Sequence, residues 1–230
     1  MPINKNGLIL WEGPSKSNGD PIVVIATGFD HKSSNAKTGD MLQTWILHQN
    51  THPVEAFKSG DGMAVCANCP HHGTRQASCY VEWRNAPTSI WNAYKRGSYA
   101  KAKSVAPFAG RAVRFGAAGD PAMAPVSLWE RIAEVASVHT AYTHQWRQPW
   151  ARRLKGLAQA SCDGLTDYLD ATAHGWKCFL VSRERPEGLV QCQASDEAGH
   201  KTTCFECHLC DGASANVVIN PHGKGAKRIG

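Results

Sequence analysis

From Arg111 onward, short apolar runs alternate with amphipathic stretches of about ten residues, and this rhythm constrains the fold more than any other feature of the chain. RAVRFGAAGD reads as a strand closing in a glycine loop, and PVSLWERIAEVA as a helix that buries Val126, Trp129, Ile132, Ala133 and Ala136. SVHTAYTHQW reads as a strand, WARRLKGL as a helix, LAQASCDG as a strand and LTDYLDATAHG as a helix. KCFLVS, LVQCQAS and NVVINPHG follow as further strands. Such alternation implies βαβ units with right-handed crossovers. The expected class is therefore α/β, with parallel (β/α) repeats forming a partial or small barrel and with cysteine-rich metal-binding loops.

Upstream, PIVVIATG and MLQTWILHQ read as two more strands, and helices are expected from near Pro53 and over APTSIWNAYKRG. Residues 1–20 are polar and rich in Gly, Ser and Asn, so they are expected to form a flexible N-terminal arm. Residues 21–230 are then a single α/β domain.

In parallel α/β folds, ligands gather at the carboxyl ends of the strands. The polar residues expected there are Gly119-Asp120, His144-Gln145, Ser161-Asp163, Arg183, Ser195-Glu197 and His222. Asp120, His144, Gln145 and His222 are the candidate catalytic residues lining a pocket. Ser161 and Asp163 are read instead as caps for the helix that begins at Leu165.

A chain of 230 residues buries a core without cross-links, so its nine cysteines call for another explanation. The apolar patch near the N-terminus is too short for a signal peptide, and no run of eighteen apolar residues exists, so a cytoplasmic protein with no membrane partner is expected. In a reducing compartment, closely spaced thiols bind metal or do redox work more often than they form disulfides. One knot is Cys66-x2-Cys69-x9-Cys79, with His71 and His72 beside it as a fourth ligand to zinc, or with one position left open. The other is Cys192-x11-Cys204-x2-Cys207-x2-Cys210. A C-x2-C pair sets two thiolates across one turn, and the C-x2-C-x2-C triple is a ferredoxin-type spacing. The expected cofactor is a [4Fe–4S] cluster, one shared or two separate, with zinc as the alternative. Cys162 and Cys178 lie in strands and are read as small buried hydrophobes.

CANCPHHG…SCYV, SIWNAYKRGSY, RFGAAGDP, YTHQWR and TTCFECHLCDG together resemble a family of uncharacterised cysteine-rich proteins encoded by phages and prophages, over about residues 20–222. The resemblance implies expression in the host bacterial cytosol. A more distant likeness is to radical S-adenosylmethionine enzymes, which pair a (β/α) barrel with a three-cysteine cluster and often carry auxiliary clusters. That likeness implies an iron–sulfur oxidoreductase or radical-type enzyme with S-adenosylmethionine as a further cofactor. The chain departs from the family's C-x3-C-x2-C motif and lacks its Gly-Gly-Glu stretch.

The net charge is +6, and WRQPWARRLK, Trp146 to Lys155, interleaves aromatic and basic residues. Two function classes follow. In one, a cluster does redox or radical chemistry in a strand-end pocket. In the other, zinc stabilises a module that binds nucleic acid or a host protein through a basic surface and performs no catalysis. No dinucleotide fingerprint, P-loop, serine elbow or zincin motif is present.

Overall fold

The computed structural model describes residues 4–32, 35–222 and 226. It is a mixed α/β protein built on one large sheet. The strands are β1 (Gly7–Pro14), β2 (Pro21–Thr27), β3 (Leu42–His48), β4 (Ala100–Lys101), β5 (Ala112–Ala118), β6 (Val138–Thr143), β7 (Gln159–Cys162), β8 (Cys178–Val181), β9 (Val190–Gln191) and β10 (Val217–Ile219). The helices are α1 (Pro53–Lys58), α2 (Met63–Cys66), α3 (Ala86–Lys95), α4 (Val126–Val135), α5 (Leu165–Ala173) and α6 (Cys204–Cys207).

Neighbours run in the order β4-β1-β2-β3-β5-β6-β7-β8-β10-β9. β1, β2 and β3 pair antiparallel, and from β3 to β9 every pairing is parallel. From β5 to β8 successive strands lie side by side, and β10 then inserts between β8 and β9. Among the described residues the sheet is open, with β4 and β9 at its two edges.

The expected arm over residues 1–20 is corrected. Gly7–Pro14 is a full strand, paired with β2 from Gly7–Thr27 to Pro14–Pro21. Polar composition misled here because the strand lies towards the edge of the sheet, where Ile9 packs inward and Glu12 can meet Lys101 on β4. Residues 1–3 of that arm lie outside the described residues. The stretch expected as a helix over WARRLKGL is a 3₁₀ turn, Pro149–Leu154, opened by a proline whose fixed φ suits a first turn.

Elsewhere the hydrophobic pattern and the structure agree. β2 is buried from Ile22 to Ala26, as a continuous apolar run dictates for a strand covered on both faces. α4 sends Val126, Trp129 and Ile132 into the core, and Trp129 donates from Nε1 to the Pro121 carbonyl at 2.9 Å. Two glycines shape the turn after β5. Gly116 has φ +69° and Gly119 has φ +78°, and a Cβ on either would collide with a backbone oxygen, at 2.7 Å from Gly119 and 2.5 Å from Ile46 respectively. The turn delivers Asp120 to the carboxyl ends of the strands.

Candidate metal centre

The side chains of the parallel strands alternate between two faces, and one face is hollow. Arg114, Gly116 and Ala118 on β5, Thr140, Tyr142 and His144 on and after β6, Ser161 and Asp163 on and after β7, and Phe179 and Val181 on β8 all line one cavity of about 400 Å³. Their spacing of two is what a strand dictates. Residues 67–85, which form neither helix nor strand, contribute His71, Ser78, Tyr80 and Trp83 to the same cavity.

On its wall, the ligand atoms of His71, His144 and Asp163 all lie within 4.8 Å of one another. His71 Nε2 is 2.8 Å and His144 Nε2 is 3.4 Å from the same oxygen, Asp163 Oδ1. The imidazole rings meet edge to face with centroids 5.2 Å apart. His71 is oriented from behind by Ser78, whose Oγ is 2.6 Å from Nδ1. This is the arrangement in which a second partner fixes the ring of a metal-binding histidine. Cys69 lines the same cavity close to His144.

The charges are arranged accordingly. Burial works against the Asp163 carboxylate, but His144 and His71 outweigh it and hold its carboxyl below the usual range. Burial likewise works against a charged His144, yet Cys69 and Asp163 keep it well above an ordinary imidazole. Two imidazoles and a carboxylate that converge in this way form a nitrogen–oxygen donor set suited to a single divalent ion such as zinc.

This geometry corrects the [4Fe–4S] expectation. Among the described residues, no trio of thiols brings its sulfurs within 4.8 Å of one another, and the set that does converge is not a cubane's thiolate set. Cys66, Cys69 and Cys79 lie along one part of the cavity lining, and Cys192, Cys204, Cys207 and Cys210 along another. Burial pushes the thiols of Cys66, Cys79, Cys192, Cys204 and Cys210 up, and within each of the two groups the neighbouring cysteines push the same way. The radical-enzyme reading and S-adenosylmethionine as its cofactor fall with the cluster, because no cubane remains to offer an open iron.

The other strand-end residues divide. Asp120 is buried on the cavity wall and fully engaged: it accepts from Thr143 Oγ1 at 2.7 Å, from the His144 N–H at 2.9 Å and from the Ala122 N–H at 2.9 Å. It thereby ties the end of β5 to the end of β6. Gln145 turns away from the cavity and donates from Nε2 to the Cys66 carbonyl at 3.1 Å, which makes it a brace for the first cysteine loop. His222 is exposed at the cavity, beside the Tyr80 ring. Ser195 bonds the Cys192 carbonyl and Glu197 accepts from the Asn220 N–H, so that loop is braced by its own polar groups. Cys162 and Cys178 are fully buried on adjacent strands.

Asp163 is the residue that its sequence context hid. Gly164, not Asp163, precedes the first turn of α5, and no side chain caps that helix. An aspartate two residues before a helix is a common cap in sequence, and only His71, 92 positions away, reveals its other use. Arg114 was missed as well, although a charged residue between the buried Val113 and Phe115 of a central strand was a visible signal. No protein-family model, curated protein or solved structure matches this chain, so the centre rests on its own geometry.

Proposed function

We propose that the protein is a zinc-stapled binding module: one zinc ion held by His71, His144 and Asp163 fastens the irregular 67–85 segment over a ligand cavity at the strand ends. The convergence of those three donors carries the reading. Turn hydrogen bonds such as that from the Cys79 N–H to the His71 carbonyl at 3.1 Å hold the segment locally, and a metal bridging it to the ends of β6 and β7 would fasten it to the sheet. Cys69 lines the same cavity and is near enough to His144 to raise its pKa, but its sulfur stands outside the 4.8 Å set, so it would have to move in to complete four-coordination.

The module's ligand is taken in the cavity rather than on the basic stretch from Trp146 to Lys155. There Trp146 is buried and donates to the Ser161 carbonyl at 3.1 Å, while Arg147 is bound by Asp167 and Asp170 and Arg153 by Glu130. Those groups are occupied within the fold, which leaves Trp150, Arg152 and Lys155 as the exposed aromatic and basic remainder of the stretch.

Metal analysis with thermal melting before and after chelation tests the staple. Wild-type protein should carry zinc and melt lower once stripped. Asp163→Ala should lose at least about 100-fold in zinc affinity, more than loss of an outer partner costs, and should melt as the stripped wild type does. Cys69→Ala should weaken zinc binding and Cys207→Ala should leave it unchanged. Zinc-free protein whose melting is indifferent to chelator would sink the reading and leave His71, Asp163 and His144 as a plain hydrogen-bonded network.

A further inference from the structure

Arg114 stands in the middle of β5, in register with Thr140 on β6, and its neighbours Val113 and Phe115 are buried on the opposite face. Its guanidinium therefore lies on the cavity side. One hydrogen bond engages it, from Nη2 to the Tyr80 hydroxyl at 2.9 Å. Its Nε is shielded from solvent and has no partner. Arg147 and Arg153 are paired with carboxylates, whereas among the described residues Arg114 forms no ion pair. The two aspartates on the same wall are already committed, Asp120 to three donors and Asp163 to the two histidines.

A second donor in the cavity is in the same condition. Trp83 is 7% exposed, and its Nε1 is buried with no hydrogen-bond partner, leaving the weakly accepting sulfur of Cys79 beside it. Guanidinium and indole N–H groups only donate, and burying them unmatched costs about 1–3 kcal/mol each in the general case, more for a charged group. A water would satisfy the indole but would leave the cation without a counter-charge.

We infer that the cavity is a binding site for a small organic oxyanion, its carboxylate or phosphate group held by Arg114 and by the Trp83 indole N–H. The planar fork of an arginine matches either group through two parallel bonds. The volume, about 400 Å³, exceeds what a bare ion needs and falls among small-molecule sites. Phe179, Val181 and Val217 give the remainder of the wall an apolar character, so the anion carries an apolar body. Arg114 stands on β5 of the sheet, whereas Trp83 rides on the 67–85 segment that zinc is proposed to fasten, so the second donor rests on that reading.

Calorimetric titration of the full chain with inorganic phosphate and, separately, with benzoate tests the inference. At least one probe should bind. Phosphate alone identifies a phosphate-bearing ligand, and benzoate alone a carboxylate on an apolar frame. Arg114→Met should weaken binding about tenfold or more, and without probe it should melt no lower than wild type, because a half-buried cation with no ion pair has been removed. Trp83→Phe, which keeps the ring and loses the donor, should weaken binding by a smaller factor, and the exposed Arg152→Ser should change nothing. Asp163→Ala, which leaves Arg114 in place on the sheet, should bind the probe no more weakly than Trp83→Phe does, which separates failure of the anion site from failure of the zinc site. No binding of either probe, or equal binding by wild type and both cavity variants, overturns the inference.

Discussion

Strand β2, in the antiparallel part of the sheet, buries every residue from Ile22 to Ala26, whereas β6, in the parallel part, buries Ala141 on one face and turns Thr140 and Tyr142, with His144 beyond, to the cavity on the other. The first strand is covered on both sides and spends both on packing. The second is covered on one side and keeps the other for polar groups, thiols and three donors that could hold a metal. One sheet thus holds a region whose only visible role is stability beside a region that has given up apolar burial for chemistry. Polar side chains at inward strand positions mark where that exchange happens, because burying them is costly unless each finds a partner or a ligand.

The comparison can be broken by substitution. The largest expected effect belongs to the packed region: Ile25→Ala, between Ile9 and Trp45 in register, should cost about 2–5 kcal/mol in denaturant unfolding. Zinc bound per folded chain should stay unchanged. Equal loss of zinc would show that the two regions do not behave independently.

A smaller and opposite effect is expected in the cavity. Ser78→Ala removes the group that orients His71 and should lower zinc affinity about 10–100-fold, while the melting of the metal-free protein barely moves. A variant that loses stability but keeps its zinc affinity would make Ser78 a packing residue like those of β2.

The smallest effect belongs to the edge of the antiparallel part. Glu12 accepts from the Tyr94 hydroxyl at 2.7 Å and pairs with Lys101 at 2.6 Å, and chiefly through Lys101 its carboxyl is held below the usual range. A lowered carboxyl pKa stabilises the fold above its unfolded-state value, and that contribution is lost as pH falls through the lowered value. Glu12→Gln should therefore cost at most about 1 kcal/mol at neutral pH, and the gap from wild type should close on acidification through that window. A gap that widens in acid would reverse the assignment.

The fold was largely legible from periodicity. The alternation after Arg111 foretold β5 to β8 with α4 and α5 between them, and the apolar run at Pro21 foretold β2. β1 was not legible, because polarity and glycine content describe a strand near an edge as well as they describe an arm. The strand ends carry the cavity lining that includes His144, and the pattern of residues said nothing of the chemistry gathered there. Cysteine spacing drew attention to the thiols, yet spacing along a chain says how donors are strung and not where they meet.

By itself, then, the sequence determined the alternating strands and helices, the polar strand ends and the thiol-rich loops, since these follow from local periodicity and turn chemistry. Only the tertiary structure decided that His71, from an irregular segment, meets Asp163 across 92 positions, and that among the described residues Arg114 lines the cavity without an ion pair. Both depend on which segments the sheet order brings together, and no local pattern of residues carries that information.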